Sequence, residues 1–174
     1  MDGARRIIIG TSGSPGSLQA LRYASGIARE NDATLIPVLA WTPPGGDFAD
    51  RSHPSGFLRQ VWRDAAWGRL WASLDLAWGG IAPAGRPAEP RVLRGDPGEV
   101  LVAAACEPGD LLVVGAGRRG AVRHLVSSWV SRYCLAHATC PVVAVPPPDL
   151  DRAAGHGLRG WAFRHRPGAV PAGR

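Results

Sequence analysis

DLLVVGAGRRG, residues 110–120, is an apolar run that stops at a glycine and passes into a basic, glycine-rich turn. Four successive aliphatics, Leu111 to Val114, bounded by Gly115 read as a short strand buried on both faces. Beyond the turn, Val122, Leu125, Val126, Trp129, Val130 and Tyr133 recur at helical spacing, which predicts a helix over about 121–137. A strand that turns through glycines into a helix can present backbone N–H groups and the positive end of a helix dipole to an anion. Arg118, Arg119, Arg123 and Arg132 surround this turn, and no acidic residue lies between Gly115 and Arg132. The same pattern also fits a plain tight turn with solvated arginines. It is not a Walker loop, because the chain contains no lysine. Gly115, Gly117 and Gly120 match G-x-G-x-x-G in spacing, but they follow the fourth strand, and no acid stands about twenty residues on.

Working outward, Ile7–Gly10 reads as the first strand, and Ser14 with Pro15 as the cap and first position of a helix running to about Glu30. Thr34–Trp41 has strand character, with Pro37 predicting a partly exposed or irregular stretch. Thr42–Gly56, rich in Pro, Gly, Asp and Ser, reads as a long loop. The next helix spans about Phe57–Trp78, with Phe57, Leu58, Val61, Trp62, Ala65, Leu70, Leu74 and Ala77 as its apolar set. Trp67, Trp71 and Trp78 share a face that is expected to pack on the sheet or on a partner chain. Arg91–Arg94 is a short strand; Asp96 caps the helix after it, Pro97 opens that helix, and Pro141–Val145 is the last strand. Strands alternating with helices predict an α/β fold: a doubly wound, five-stranded parallel sheet with helices on both faces.

The 174 residues suit one domain, placed at 1–148, with 149–174 an Arg-, Pro- and Gly-rich tail expected to be disordered. The formal net charge is +6, and the tail holds five Arg against two acids. The body is then close to balanced, so no nucleic-acid partner is expected. No apolar run is long enough to span a membrane, and the N-terminus lacks the apolar core of a signal peptide. The expected location is cytoplasmic, which agrees with three cysteines that make no disulfide framework. Cys134-x2-His137-x2-Cys140 offers a metal three ligands at most, fewer than the four of a structural zinc site, and reads as a helix–strand junction. No metal site is expected.

The second candidate for chemistry is GTSGSPGS, residues 10–17. With strands ordered 3-2-1-4-5, strands one and four lie side by side, and Gly10–Ser14 and Gly115–Gly120 line one crevice where doubly wound folds bind ligands. Alternatively Ser12, Ser14 and Ser17 only cap and turn the backbone. Ser12, Ser127, Ser128 and Ser131 have no predictable His–acid partners, and His53 falls in the long loop, so no enzymatic activity is expected.

Three segments together resemble the universal stress protein (UspA-like) family: IIIGTSGSPGSLQALRYA at the start, RGDPGEVLVAAA in the middle, and the run from Asp110 to Pro146 ending in CPVVAVP. The resemblance covers about Arg6 to Val145. It implies an adenine nucleotide alpha hydrolase-like fold, strand order 3-2-1-4-5, and a homodimer through the last strand, Pro141 to Val145. Nucleotide-binding members carry Gly-x2-Gly-x9-Gly-Ser/Thr after the fourth strand. In register, these positions fall at Gly115, Arg118, Ser128 and Trp129, so only the first is kept. Gly117, Gly120 and Ser131 lie nearby as partial substitutes. The family's acid after the first strand falls at Ser12, and its adenine-side residue at about Ala40. Thr11, Ser12 and Ala40 are therefore expected near base and sugar, and Gly115, Gly117, Arg118, Gly120, Ser128 and Ser131 near phosphate. The expectation is a non-enzymatic stress-response regulator that binds ATP or AMP weakly or in an altered mode. The rival readings are a nucleotide-independent dimeric interaction module and a weak ATPase.

Overall fold

The structure, a computed structural model, describes residues 5–52, 54–79, 88–117 and 124–147. The elements run β1 (Arg6–Gly10), α1 (Pro15–Asn31), β2 (Thr34–Trp41), α2 (Gly46–Ser52) and α3 (Gly56–Trp78). They continue as β3 (Arg91–Arg94), α4 (Pro97–Ala104), β4 (Asp110–Gly115), α5 (His124–His137) and β5 (Val142–Val145). All strands are parallel in one five-stranded sheet, ordered β3-β2-β1-β4-β5. The tail at 149–174 lies outside the described residues.

The central strands carry apolar side chains on both faces because both are covered. Ile7, Ile9, Leu35, Leu39 and Val113 pack beneath α1 and α3, while Ile8, Ile36, Val38, Leu112 and Val114 pack beneath α4 and α5. Among the described residues, no helix is long and apolar enough to cross a membrane. Local rules set the helix starts. Ser14 accepts a hydrogen bond from Ser17 N at 3.2 Å with Pro15 just inside α1, and Asp96 accepts one from Gly98 N at 2.9 Å with Pro97 opening α4.

Three expectations change. Pro37 is fully buried in an inner strand, opposite Ile9 of β1. Leu35 O accepts from Glu89 N and Val38 O from Thr11 N, so alternate residues of β2 address opposite neighbours. Pro37 faces the β3 side, in the gap between an isolated bridge at Leu35 and Ala88 and the ladder that starts at Val38 opposite Arg91, where a residue without an N–H is tolerated.

The stretch 42–56 contains the helix α2, held by a tertiary clip. Asp50, buried, accepts from Arg59 Nε at 3.0 Å and from Arg94 at 2.9 Å. Burial alone would raise this carboxyl's pKa, but the two guanidinium hydrogen bonds and their charges hold it below the ordinary 3.8.

The third change concerns α3. It buries Ala66, Leu70, Ser73 and Leu74, with Trp62, Trp67, Ala77 and Trp78 packed beside them. Phe57, Leu58, Val61 and Ala65 point away from the core. The tryptophans divide as well: Trp67 and Trp78 pack on the core, while Trp71 stacks on Trp67 at 6.2 Å and is 52% exposed.

Candidate functional site

The strand order reverses between β1 and β4, and the carboxyl ends of these neighbours open onto one cavity of about 290 Å³. That volume is near the lower end of small-ligand sites, which run roughly 300–1,000 Å³. Its apolar lining comes from Val38, Leu39 and Ala40 of β2 and from Leu101, Val114 and Val130. Its polar lining is Thr11, Ser12, Ser14 and Ser17 around the start of α1, with Arg69 of α3. Arg69 is the one charged side chain among the described lining residues.

The serines are knitted into the turn. Ser12 Oγ donates to Ser14 Oγ at 3.0 Å, Ser17 Oγ donates to Ser14 O at 2.9 Å, and Ser12 N donates to Ser17 Oγ at 3.3 Å. Thr11 Oγ1 donates back to Ile9 O at 3.3 Å. These bonds fix the first turn of α1, whose exposed N–H end favours negative charge. The serines thus cap and turn the backbone as one of the two readings expects, and the same three residues line the cavity.

The two described glycines of the β4 turn serve different ends. Gly117 has φ +77°, a left-handed conformation that favours glycine. Gly115 is needed for room. A Cβ there would stand 2.8 Å from the carbonyl carbon of Gly16 and 3.1 Å from Ser17 N, both backbone atoms of α1. β4 also receives its neighbour at this point, where Ala116 N donates to Val145 O at 2.7 Å.

Of the expected site residues, Thr11, Ser12, Ala40, Gly115 and Gly117 line the cavity. Ser131 does not: it is buried on α5, and the nearby lining residue is Val130, one position earlier. Adjacent residues of a helix point about 100° apart, so Val130 and Ser131 take different directions from α5. Arg118 and Gly120 lie outside the described residues, as do Arg119, Arg123 and His53. Ser128 belongs to α5 by its backbone, and its side chain lies outside the description. Trp129 is 41% exposed and packs on Tyr133 with ring centroids 5.3 Å apart. Arg69 was not expected, because nothing in the α3 pattern separates it from the helix's other arginines. At the helix–strand junction, burial pushes the Cys134 thiol up to about 11, and His137 Nδ1 lies 2.9 Å from Tyr133 O.

The universal stress protein family model matches residues 3–146, which takes in every described element. This chain belongs to that family. A comparison with curated proteins finds no match. Among solved structures, a universal stress protein in complex with cAMP is 26% identical, with a TM-score of 0.50, covering 81% of this chain and 95% of that one. The UspA protein of Lactobacillus plantarum shares the fold at 16% identity and a TM-score of 0.57, covering 82% and 98%. A family protein of Arabidopsis thaliana with AMP bound shares it at 16% identity and a TM-score of 0.50, covering 83% and 93%.

Proposed function

We propose that this universal stress protein is a non-enzymatic stress-response regulator that takes an adenine nucleotide into the β1–β4 crevice in an altered mode. The observation that carries the reading is a lining that joins apolar side chains to the hydroxyls at the start of α1 and the Arg69 guanidinium. The apolar lining at Val38 to Ala40 suits a flat base. The capped start of α1 and the Arg69 guanidinium suit one phosphate. The cAMP complex of the 26% identical relative supports the ligand class.

The mode is altered because Ser12 offers no carboxylate to hold a metal ion beside the phosphates, and no other described lining residue is acidic. AMP and cAMP, with less negative charge to neutralise, fit this site better than ATP. The described lining residues include no His, Cys, Asp or Glu, which supports binding over catalysis. The regulator acts as a homodimer in the cytoplasm. β5 stands at the sheet edge beside β4 alone, which supports pairing there, and the free thiols of Cys106, Cys134 and Cys140 suit a reducing compartment.

Isothermal titration with AMP, cAMP and ATP, each with and without Mg²⁺, tests this. AMP and cAMP should bind with affinities that Mg²⁺ leaves unchanged, and Arg69→Ala should weaken both by about tenfold. No heat at millimolar nucleotide, with none carried through purification, overturns the reading.

A further inference from the structure

The chain's cysteines gather at the end of the sheet away from the crevice. Cys106 follows α4, Cys134 lies in α5, and Cys140 precedes β5. Cys134 and Cys140 pack into the core beneath α4 and α5, as does Ala105, the residue before Cys106.

Asp110 is the point on which two of these thiols converge. Leu112 of β4 pairs with Val142 of β5, and Leu112 N donates to Pro141 O at 3.0 Å. Two residues back along both segments, that parallel register sets Cys140 beside Asp110. From the other side, the turn after Cys106 folds onto the same carboxylate. Glu107 N donates to Asp110 Oδ2 at 2.8 Å, and Asp110 N donates to Glu107 O at 3.1 Å. Arg6 donates to Asp110 Oδ2 and to Ala104 O, each at 3.1 Å, which ties the end of α4 to this point. The electrostatics agree with the geometry. Burial first, then the Asp110 charge, raise the Cys140 thiol above its ordinary 9.0, and the Cys106 thiol adds to that rise.

Access to the three thiols differs. Cys106 is exposed, Cys140 half-buried, and Cys134 buried with its thiol pushed up to about 11. Residues 106 to 109 are all exposed, so the turn has room to carry Cys106 the short way a disulfide requires. Among the described residues, no group of three His, Cys, Asp or Glu side chains is arranged to hold a metal ion.

We infer that Cys106 and Cys140 are a redox pair that a hydroperoxide closes into a disulfide. The exposed Cys106 takes the first step. Its thiolate attacks one peroxide oxygen, the O–O bond breaks, and sulfur is oxidised to a sulfenic acid while the other oxygen leaves as water or an alcohol. The Cys140 sulfur then attacks the Cys106 sulfur, the S–O bond breaks, and the Cys140 proton leaves with the hydroxide as water. Two thiols lose two electrons and the peroxide gains them. The bond closes a loop that carries β4, the glycine turn and α5. In a reducing compartment such a bond is transient and senses oxidant. The pair lies at the opposite end of the sheet from the crevice and does not depend on the nucleotide reading.

Hydrogen peroxide treatment of the full chain, followed by alkylation and tryptic digestion without reduction, tests this. Peptide 95–118 holds Cys106, and peptide 133–152 holds Cys134 and Cys140. These two should appear linked within one copy of the chain. Cys106→Ser and Cys140→Ala should each abolish the link, while Cys134→Ala should keep it. In Cys140→Ala the sulfenic acid at Cys106 should persist and be trapped by dimedone. A link that survives Cys140→Ala and is lost in Cys134→Ala overturns the pairing. So does a link only between two copies, or peroxide that drives Cys106 of the unchanged chain to sulfinic acid with no link formed.

Discussion

The two strand ends that meet at the crevice each finish in glycine, for unequal reasons. At the end of β1, a Cβ on Gly10 would meet the Leu101 side chain at 2.9 Å and Val114 Cγ1 at 3.3 Å, both side-chain atoms. At the end of β4, a Cβ on Gly115 would meet the backbone of Gly16 and Ser17. Neither glycine has a positive φ. Both are present for space, but only one obstacle can yield. The end of β1 is free to vary with its neighbours, whereas the end of β4 is locked to the first turn of α1. This accounts for a first signature glycine that remains while the positions after it diverge. Gly115 is retained by packing, whatever the phosphate loop has become.

Substitutions at these ends should rank accordingly. Gly115→Ala should be the most damaging, costing roughly 1–3 kcal/mol in urea unfolding, because the start of α1 must shift as a body. An unchanged midpoint would break the comparison. Ser14→Ala comes next, at about 1 kcal/mol, through loss of the hydrogen bond to Ser17 N, and it should also lower AMP affinity by loosening the turn. Retained affinity in titration would confine Ser14 to capping. Gly10→Ala should change stability least, within about 0.5 kcal/mol. Displacing the Leu101 side chain costs little, and a less flexible unfolded chain offsets it. Since Leu101 lines the cavity, the sharper readout for Gly10→Ala is altered nucleotide affinity at constant Tm.

Local patterns made most of the sheet legible. The β2 range and the Ser14–Pro15 and Asp96–Pro97 helix starts depend on neighbours in sequence, and they came out as read. Glycine at the carboxyl ends of β1 and β4, together with strand order, located the crevice. What the sequence concealed is set by distant partners. Pro37 is tolerated inside the sheet because it falls in the gap between the bridge at Leu35 and Ala88 and the β2–β3 ladder. α2 is held through Arg59 and Arg94, 9 and 44 residues from Asp50. Arg69 enters the site from a helix whose apolar residues lie on two opposite faces, so periodicity could not tell the core side from the outer one.

Asp50 bears on how the fold assembles. A seven-residue helix is too short to persist alone in water. Its bond to Arg94 closes a long loop, and that bond forms only once β3 has docked beside β2. α2 is thus a late arrival in folding and an early departure in unfolding, a unit that comes loose while the sheet stays whole. Acid reaches it by the same route. With its pKa lowered in the folded chain, Asp50 stabilises fully above the ordinary 3.8, and that stabilisation fades as the pH falls through the lowered value. Release of α2 would unfasten the stretch between β2 and α3, while the β1–β4 crevice, which no described residue of that stretch lines, keeps its walls.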